Sequence, residues 1–174
     1  YLDVICERFA KELGGWASKD IRSERDWIAV TLSDNKARHR VYYAYQFEEL
    51  AKKLQHARMV IGYNCHNFDF EIIRGYCSVM PRRVFDLFAD LYHLTGEKLT
   101  VNMLLRGTFG FQEDSDEFQR LELWRSDQTA LLAKNQASHL ANIRRLHNFG
   151  KERGYVRFVD QRGRTQTVVV DWKM

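Results

Sequence analysis

Proline, cysteine and long hydrophobic runs are all scarce in this chain, and each scarcity excludes a class of protein. The 174 residues include 1 Pro, which argues against a long proline-rich linker. The three cysteines, Cys6, Cys65 and Cys77, form no CxxC pair, so neither a disulfide framework nor a structural zinc cage is expected. No apolar run reaches the roughly 20 residues of a membrane span, and the first residues lack the order of a signal peptide. The sequence therefore predicts a soluble, cytoplasmic protein that does not contact a membrane.

Neither sign of charge dominates. The chain has 27 Lys and Arg against 23 Asp and Glu, a net charge of +4. This surplus permits a polyanionic partner without requiring one. The 45% of apolar residues suffices for the core of one globular domain, predicted over residues 1–174. The first predicted strand begins at Tyr1 itself, which leaves open that the chain is a fragment of a longer protein.

The first part of the chain has the composition of strands followed by a helix. Three strands are predicted, at 1–9, 27–32 and 41–43, with turn residues between them. Because the links are short, we expect an antiparallel meander. At 47–54 the apolar residues change to a helical period, which predicts an amphipathic helix.

The rest of the chain first alternates between strands and helices and then becomes mainly helical. Short apolar strands at 59–62 and 84–86, each followed by a helical pattern, imply parallel strands with crossover helices. Further helices are predicted at 99–105, 117–124 and 129–149, and a terminal hairpin at 156–172. The buried stripe of the long helix is expected to consist of Ala133, Ala137, Leu140, Ile143 and Leu146. This order matches an α/β domain of the ribonuclease-H-like kind, with a mixed sheet of antiparallel strands 1–3 and parallel strands 4–5, flanking helices and a C-terminal hairpin.

Two aspartates are predicted to meet at one edge of this sheet. Asp3 lies within the first strand, and Asp69 follows the strand at 59–62. Open α/β sheets bind ligands beyond the carboxyl ends of their parallel strands, where this topology brings both acids. Two-metal phosphodiester hydrolysis needs several converging carboxylates, because hard cations such as Mg²⁺ prefer oxygen ligands. Asp3 and Asp69 are therefore the candidate catalytic residues and metal ligands.

The segment GYNCHNFDFEII, at 62–73, resembles the second motif of the DEDD (DnaQ-like) 3′-5′ exonucleases. The resemblance extends to a bacterial ribonuclease-H-like family often labelled YprB-like. Matching segments follow the family's order along nearly the whole chain: DVICERFAKELGGW, ARMVIGYNCHNFDFEIIRGY, FDLFADLYHLTGEKLTVNMLLRGTFG, FQRLELWRSDQ, IRRLHNFGKERGY and RFVDQRGRTQTVVVDW. The resemblance implies a metal-dependent exonuclease fold.

Two of the four acids that the resemblance implies are missing. The first motif is Asp-x-Glu, and its Asp falls on Asp3 while its Glu falls on Ile5. The last motif lies on the long helix, and its Asp falls on His139. No Asp or Glu occurs between Asp127 and Glu152, so the long helix has no carboxylate to supply.

Several residues are candidate substitutes for the missing acids. Glu7 shares strand parity with Asp3 but lies about 6.6 Å from Ile5 along an extended strand. Asp86, at the end of a predicted buried strand, is a further candidate metal ligand, as is Asp90. His139 suits a softer metal, because imidazole replaces carboxylate poorly on Mg²⁺. Mg²⁺ or Mn²⁺ is expected if the domain is active, and no cofactor if it is not.

Several of these candidate residues also fit purely structural roles. Asp69 at a helix start also favours the helix dipole by about 0.3–1 kcal/mol. Asn64 suits a turn, and His139 flanks the predicted buried stripe. Asp3, a carboxylate in an apolar strand, needs a cation or a partner such as His139 or an arginine.

Candidate nucleic-acid contacts are Tyr63, Asn64 and Arg144. Tyrosines at such positions stack bases or fill the core, and sequence alone leaves both open. Phosphate binding would need several cations on one face. Candidates are Lys36, Arg38, Arg40, Arg82, Arg83, Arg144, Arg145, Lys151, Arg153, Arg162 and Arg164. The acidic stretch 113–117 stands where the resemblance implies a Lys-Ser-Gly-Asp-Gly loop, which argues against contact of this loop with a nucleic-acid backbone.

Two functional hypotheses follow. The first and favoured one is a degenerate nuclease that serves as a nucleic-acid-binding or docking domain, because Ile5 and His139 replace two acids. The alternative is an active metal-dependent 3′-5′ exonuclease that uses Asp3, Asp69 and a substitute acid. Single-stranded nucleic acid is the expected partner of either. The resemblance also implies a helicase partner, although the chain contains no P-loop of its own.

Overall fold

A computed structural model describes residues 1–6, 27–32, 38–74 and 81–173 of the chain. Its elements in order are β1 (Leu2–Cys6), β2 (Trp27–Leu32), β3 (His39–Tyr43), a 3-10 turn (Ala44–Gln46), α1 (Phe47–His56), β4 (Val60–Gly62), α2 (Asp69–Arg74), β5 (Val84–Asp86), α3 (Leu87–Thr95), α4 (Val101–Phe109), α5 (Glu117–Arg125), α6 (Thr129–Arg153), β6 (Tyr155–Val159) and β7 (Thr165–Val169). This order is a mixed α/β architecture, which confirms the α/β class, whereas the ribonuclease-H-like order of one mixed sheet stays a prediction.

The first three strands form the predicted antiparallel meander. In the register of β1 with β2, Asp3 lies opposite Val30 and Ile5 opposite Ile28. Leu2 and Val4 are buried on one face of β1, while Asp3 between them is only partly buried, as the alternation of side chains along a strand requires. The strand thereby presents one carboxylate beside an apolar core.

β4 and β5 are parallel, as predicted, and each is three residues long. β1 passes close to β4, since a Cβ added to Gly62 would lie 3.3 Å from the Leu2 carbonyl oxygen. The hydrogen-bonded ladders of the described strands are nevertheless separate, one of β1–β2–β3, one of β4–β5 and one of β6–β7. The short parallel pair offers few ladder bonds, so side chains have to hold the loops that follow it.

The long helix α6 spans 25 residues and packs against β1, β2, β6, α4 and α5. Its buried face differs from the predicted stripe, because Ala133 and Ala137 are only partly buried. The larger Leu132 takes the buried position instead, which turns polar Gln136 and His139 inward as well. Among the described residues, no helix is long and apolar enough to cross a membrane.

The C-terminal hairpin of β6 and β7 packs against α4 at very short range. A Cβ added to Gly107 of α4 would lie 2.4 Å from the Phe158 Cα and 2.5 Å from its backbone nitrogen. Only a residue without a side chain lets the helix and strand backbones approach this closely. Beyond β7, the Trp172 indole donates a hydrogen bond to Asp90 Oδ2 (2.8 Å), which fixes the last segment to α3.

Substitution Gly107→Ala tests this contact. In an unconstrained helix the change stabilises by about 1 kcal/mol, but here we expect a loss of about 1–3 kcal/mol, because the backbone of β6 has no room for a methyl group. Urea unfolding followed by circular dichroism measures it. The neighbouring exposed substitution Arg106→Ala is the control, and equal stabilities of the two variants would contradict the close contact.

Candidate functional site

A cleft of about 430 Å³ lies beyond the carboxyl end of β4 and beside β1. Its walls come from β1, the loop after β4, the starts of α3 and α4, the 113–120 segment and α6. The lining residues are Asp3, Val4, Ile5, Tyr63, Asn64, Phe68, Asp69, Phe88, Leu99, Thr100, Val101, Asn102, Glu113, Asp116, Arg120 and His139. The cleft therefore stands where an open α/β arrangement is expected to bind ligands.

Asp3 and Asp69 reach this cleft together, as their sequence positions predict. Asp69, 3% exposed, accepts a hydrogen bond on Oδ1 from the backbone N–H of Val4 (3.3 Å). This bond fixes the first residue of α2 to the strand position next to Asp3. Asp3 accepts a hydrogen bond on Oδ2 from the Gln136 amide (3.4 Å), which joins β1 to α6. Among the described residues, the partner of Asp3 is thus neither His139 nor an arginine, but an amide.

The loop after β4 folds tightly under the cleft. Asn64 adopts a left-handed conformation with φ +60°, which Asn tolerates better than most residues. Cys65 is completely buried beneath it, and a Cβ on Gly62 would meet the Cys65 Cβ at 2.6 Å. Burial, with Asp69 and Asp86 nearby, raises the pKa of the Cys65 thiol, so the thiol stays protonated as a structural group.

Asp86 holds this loop to the next element. Its Oδ1 accepts from the backbone N–H groups of Asn64 (2.8 Å), Phe88 (3.0 Å) and Ala89 (3.3 Å), and its Oδ2 accepts from that of His66 (2.9 Å). The carboxylate is therefore at once the N-cap of α3 and the anchor of the β4 loop.

The two further candidate ligands thus have other contacts. Asp86 and Asp90 do not line the cleft as the described residues define it. Asp86 accepts from four amides, two of the β4 loop and two of the first turn of α3, whose N–H groups need an acceptor because the helix starts directly after β5. Asp90 accepts the hydrogen bond of Trp172. Glu7 lies outside the described residues.

His139 forms a buried pair with Glu113 inside the cleft. His139 Nδ1 lies 2.9 Å from both carboxylate oxygens of Glu113, and the Asn142 amide donates to Oε1 at 3.0 Å. Arg120 Nη1 stands 3.8 Å from Oε2. From the sequence, Glu113 is only part of an acidic stretch at 113–117, whereas the structure turns its carboxylate toward His139.

Two opposing effects act on the Glu113 carboxyl. Burial would raise its pKa, but the hydrogen bond and charge of His139, the Asn142 amide and Arg120 together hold the pKa below its ordinary 4.5. Glu113 is therefore ionised at neutral pH, close to the Arg120 guanidinium.

Ile5 and the predicted nucleic-acid contacts fall in different places. Ile5 is buried and packs with Leu132 of α6, so an apolar contact stands where the resemblance implies an acid. Tyr63 and Asn64 line the cleft. The Tyr63 hydroxyl donates to the Leu99 carbonyl oxygen (2.7 Å), and burial, followed by the charge of Asp86, raises its pKa. Arg144 lies elsewhere, in a shallow groove that Phe109 and Phe149 also line.

Sequence reasoning missed Glu113, Arg120 and Gln136. A signal existed for Gln136, which lies four residues after Leu132 and four before Leu140 and therefore on the same helical face. None existed for Glu113, because the acidic stretch around it gives no indication of which carboxylate points inward.

The donor set fits a pair of Mg²⁺ ions poorly. Such a centre needs several carboxylates that bridge and flank the ions. Here Asp3 and Asp69 share the cleft, but Ile5 and His139 supply no carboxylate, and Glu113 is bonded to His139 and Asn142. Within the described ranges, no three His, Cys, Asp or Glu side chains are grouped as a metal site.

No family model, no curated protein and no solved structure matches this chain. The resemblance to the DEDD exonucleases therefore remains a prediction from sequence motifs, and the functional argument depends on the geometry of the cleft.

Removing the Asp86 carboxylate is expected to be costly. Asp86→Ala deletes a helix cap and leaves the amides of Asn64 and His66 without an acceptor, which together should lower the unfolding free energy by about 3 kcal/mol or more. The matched control is Asp116→Ala, which removes the exposed cap of α5 and should cost about 1 kcal/mol. Equal losses in urea unfolding would show that the β4 loop does not depend on Asp86.

The Glu113 pair should appear in the pH dependence of stability. Because the pKa of Glu113 is lower in the folded state, its stabilisation is complete above the ordinary value of 4.5 and is lost as pH falls through the folded-state pKa. Glu113→Gln should cost roughly 1.5–3 kcal/mol at neutral pH, with a difference from wild type that shrinks on acidification. Thermal unfolding between neutral pH and pH about 3 measures this. Glu122→Gln, which alters an exposed pair with Arg125, is the control, and a pH-independent deficit in Glu113→Gln would contradict the assignment.

Proposed function

We propose that this chain is a nucleic-acid-binding or docking domain built on a ribonuclease-H-like exonuclease fold, with two-metal hydrolysis weak or lost. One observation carries the proposal. At the position where the resemblance implies a metal-binding acid, His139 is paired with Glu113 inside the cleft.

The pairing supports loss of the usual chemistry in two ways. The imidazole cannot bridge hard cations as a carboxylate does. Its Nδ1 is also held by Glu113, so this additional carboxylate of the cleft is bonded to His139 and Asn142. The side chains that would have supplied metal ligands instead stabilise each other.

The arrangement of elements supports the fold part of the proposal. An antiparallel β1–β2–β3 unit is followed by a parallel β4–β5 pair, with an acid in β1 and another after β4. That is the order expected of a ribonuclease-H-like domain. Tyr63 and Phe88 lie at the cleft with ring centroids 5.8 Å apart and offer apolar faces on which a base could stack.

The charge of the cleft limits how a nucleic acid is held. Four carboxylates line it, those of Asp3, Asp69, Glu113 and Asp116, against one arginine and one histidine. Phosphates are repelled by such a surface, so we expect bases rather than phosphates to approach the cleft and the backbone to be held elsewhere. A helicase partner, which the resemblance implies, would supply the motor for which the chain has no P-loop.

The test uses end-labelled single-stranded DNA and RNA with Mg²⁺ or Mn²⁺ and follows both shortening on gels and binding by fluorescence anisotropy. We expect binding that weakens with salt and no digestion above the background of Asp69→Asn. Digestion that depends on Mn²⁺ and disappears in Asp69→Asn would instead support the active exonuclease. Absence of both binding and digestion would overturn the proposal.

A further inference from the structure

A second depression, of about 550 Å³, lies at the opposite end of the β4–β5 pair from the cleft. Its lining residues are Gln55, His56, Ala57, Arg58, Arg82 and Arg83, and we refer to it as the arginine pocket. The cleft residues nearest to this pair, Tyr63, Asn64 and Phe88, follow β4 or β5, whereas the residues of the arginine pocket precede both strands. Three residues of strand, about 10 Å, separate the two sites.

The backbone around the arginine pocket is well anchored. The N–H of Ala57 caps α1 by bonding to the carbonyl oxygens of Lys53 and Leu54. The Val60 N–H donates to the Arg83 carbonyl oxygen (2.9 Å), which holds the segment before β5 against the segment before β4. The pocket is thus formed by two fixed chain segments that present exposed side chains.

The charge of the arginine pocket is of one sign. Arg58, Arg82 and Arg83 are exposed, and none of the three forms an ion pair or side-chain hydrogen bond with any residue that the structure describes. Other arginines of the chain are paired, for example Arg40 with Glu49 and Arg164 with Asp160.

The sequence around the arginine pocket is also rich in positive charge. Residues 50–68 and 72–85 contain six Lys or Arg and no Asp or Glu. These two stretches account for the whole positive surplus, because the rest of the chain has more acids than bases.

We propose that the arginine pocket binds the phosphodiester backbone of a nucleic-acid strand. Guanidinium groups recognise phosphate oxygens in a two-pronged geometry, and three of them in one depression suit consecutive phosphates. Among the described residues that line the pocket, His56 is the one aromatic side chain and no large apolar side chain is present, so bases and peptide side chains find little apolar surface there. Contact is therefore mainly with the backbone and independent of base sequence. The inference rests on the proposed function in taking nucleic acid as the ligand.

Position and charge make the two sites complementary. The arginine pocket attracts phosphates that the acidic cleft repels. A strand held at the pocket is thus bound mainly at the end of β4 and β5 that lies away from Asp3 and Asp69.

The test compares a pocket variant, Arg58→Ala/Arg82→Ala/Arg83→Ala, with a control of equal charge change, Arg106→Ala/Lys134→Ala/Lys173→Ala, all exposed and outside the pocket. Fluorescence anisotropy measures binding of labelled single-stranded DNA and RNA over a range of salt. We expect the pocket variant to bind about tenfold or more weakly and to lose about 2 from the slope of log K against log salt, because each phosphate contact on a single strand contributes about 0.7. The control should keep most of the wild-type slope. Circular dichroism confirms that both variants are folded.

The possible failures are distinguishable. If the wild type binds and both variants weaken equally, the pocket is only part of a general positive charge and the inference is wrong, while the proposed function stands. If the wild type binds no nucleic acid, both are overturned. Retained binding by the pocket variant, with weakening by the cleft substitution Tyr63→Ala, would locate the backbone in the cleft and contradict the inference. A phosphoserine peptide that binds the pocket more tightly than either nucleic acid would also overturn it.

Discussion

The hydrogen bonds that Asp86 accepts hold together the part of the molecule on which both candidate sites depend. β4 and β5 are three residues long and share few ladder bonds, so the segments around them need another attachment. One buried carboxylate provides it by taking two amides from the loop after β4 and two from the first turn of α3. The bonds keep Tyr63 and Asn64 at the cleft, with Cys65 buried beneath them. An acid that the sequence offered as a metal ligand is therefore a structural centre, and its charge is satisfied by backbone dipoles.

At the far side of the cleft, too, residues have roles that differ from those expected from the sequence. His139 occupies the position of an expected acid, while Glu113, from the acidic stretch 113–117, supplies a carboxylate beside it. Gln136 adds an amide next to Asp3. Several polar groups of the cleft are thus partnered by one another, while Arg120 Nε and Gln136 Oε1 are buried without a hydrogen-bond partner among the described residues. The network is therefore only partly satisfied.

The sequence predicted the local elements well and the side-chain partners poorly. Periodicity located the strands and α6, and the order of elements placed Asp3 and Asp69 on one cleft, because these depend on near neighbours in sequence. Periodicity did not reveal that Leu132 would displace Ala133 from the buried face of α6, since the choice depends on the size of the facing cavity. Nor did it reveal the pairing of Glu113 with His139, which are 26 residues apart and meet only through the packing of α5 and α6. Periodicity also did not reveal that the described strands form three separate hydrogen-bonded ladders, because this depends on tertiary contacts.

The placement of the acidic cleft and the arginine pocket at opposite ends of one short parallel pair has a consequence for encounters in solution. Opposite charges separated along the strand axis give this part of the molecule an electric dipole moment. In the field of a polyanion the molecule experiences a torque that turns its arginine end forward before contact. The first collision complex is thereby oriented, with the carboxylate end trailing, and added salt should slow this alignment as well as weaken the final complex.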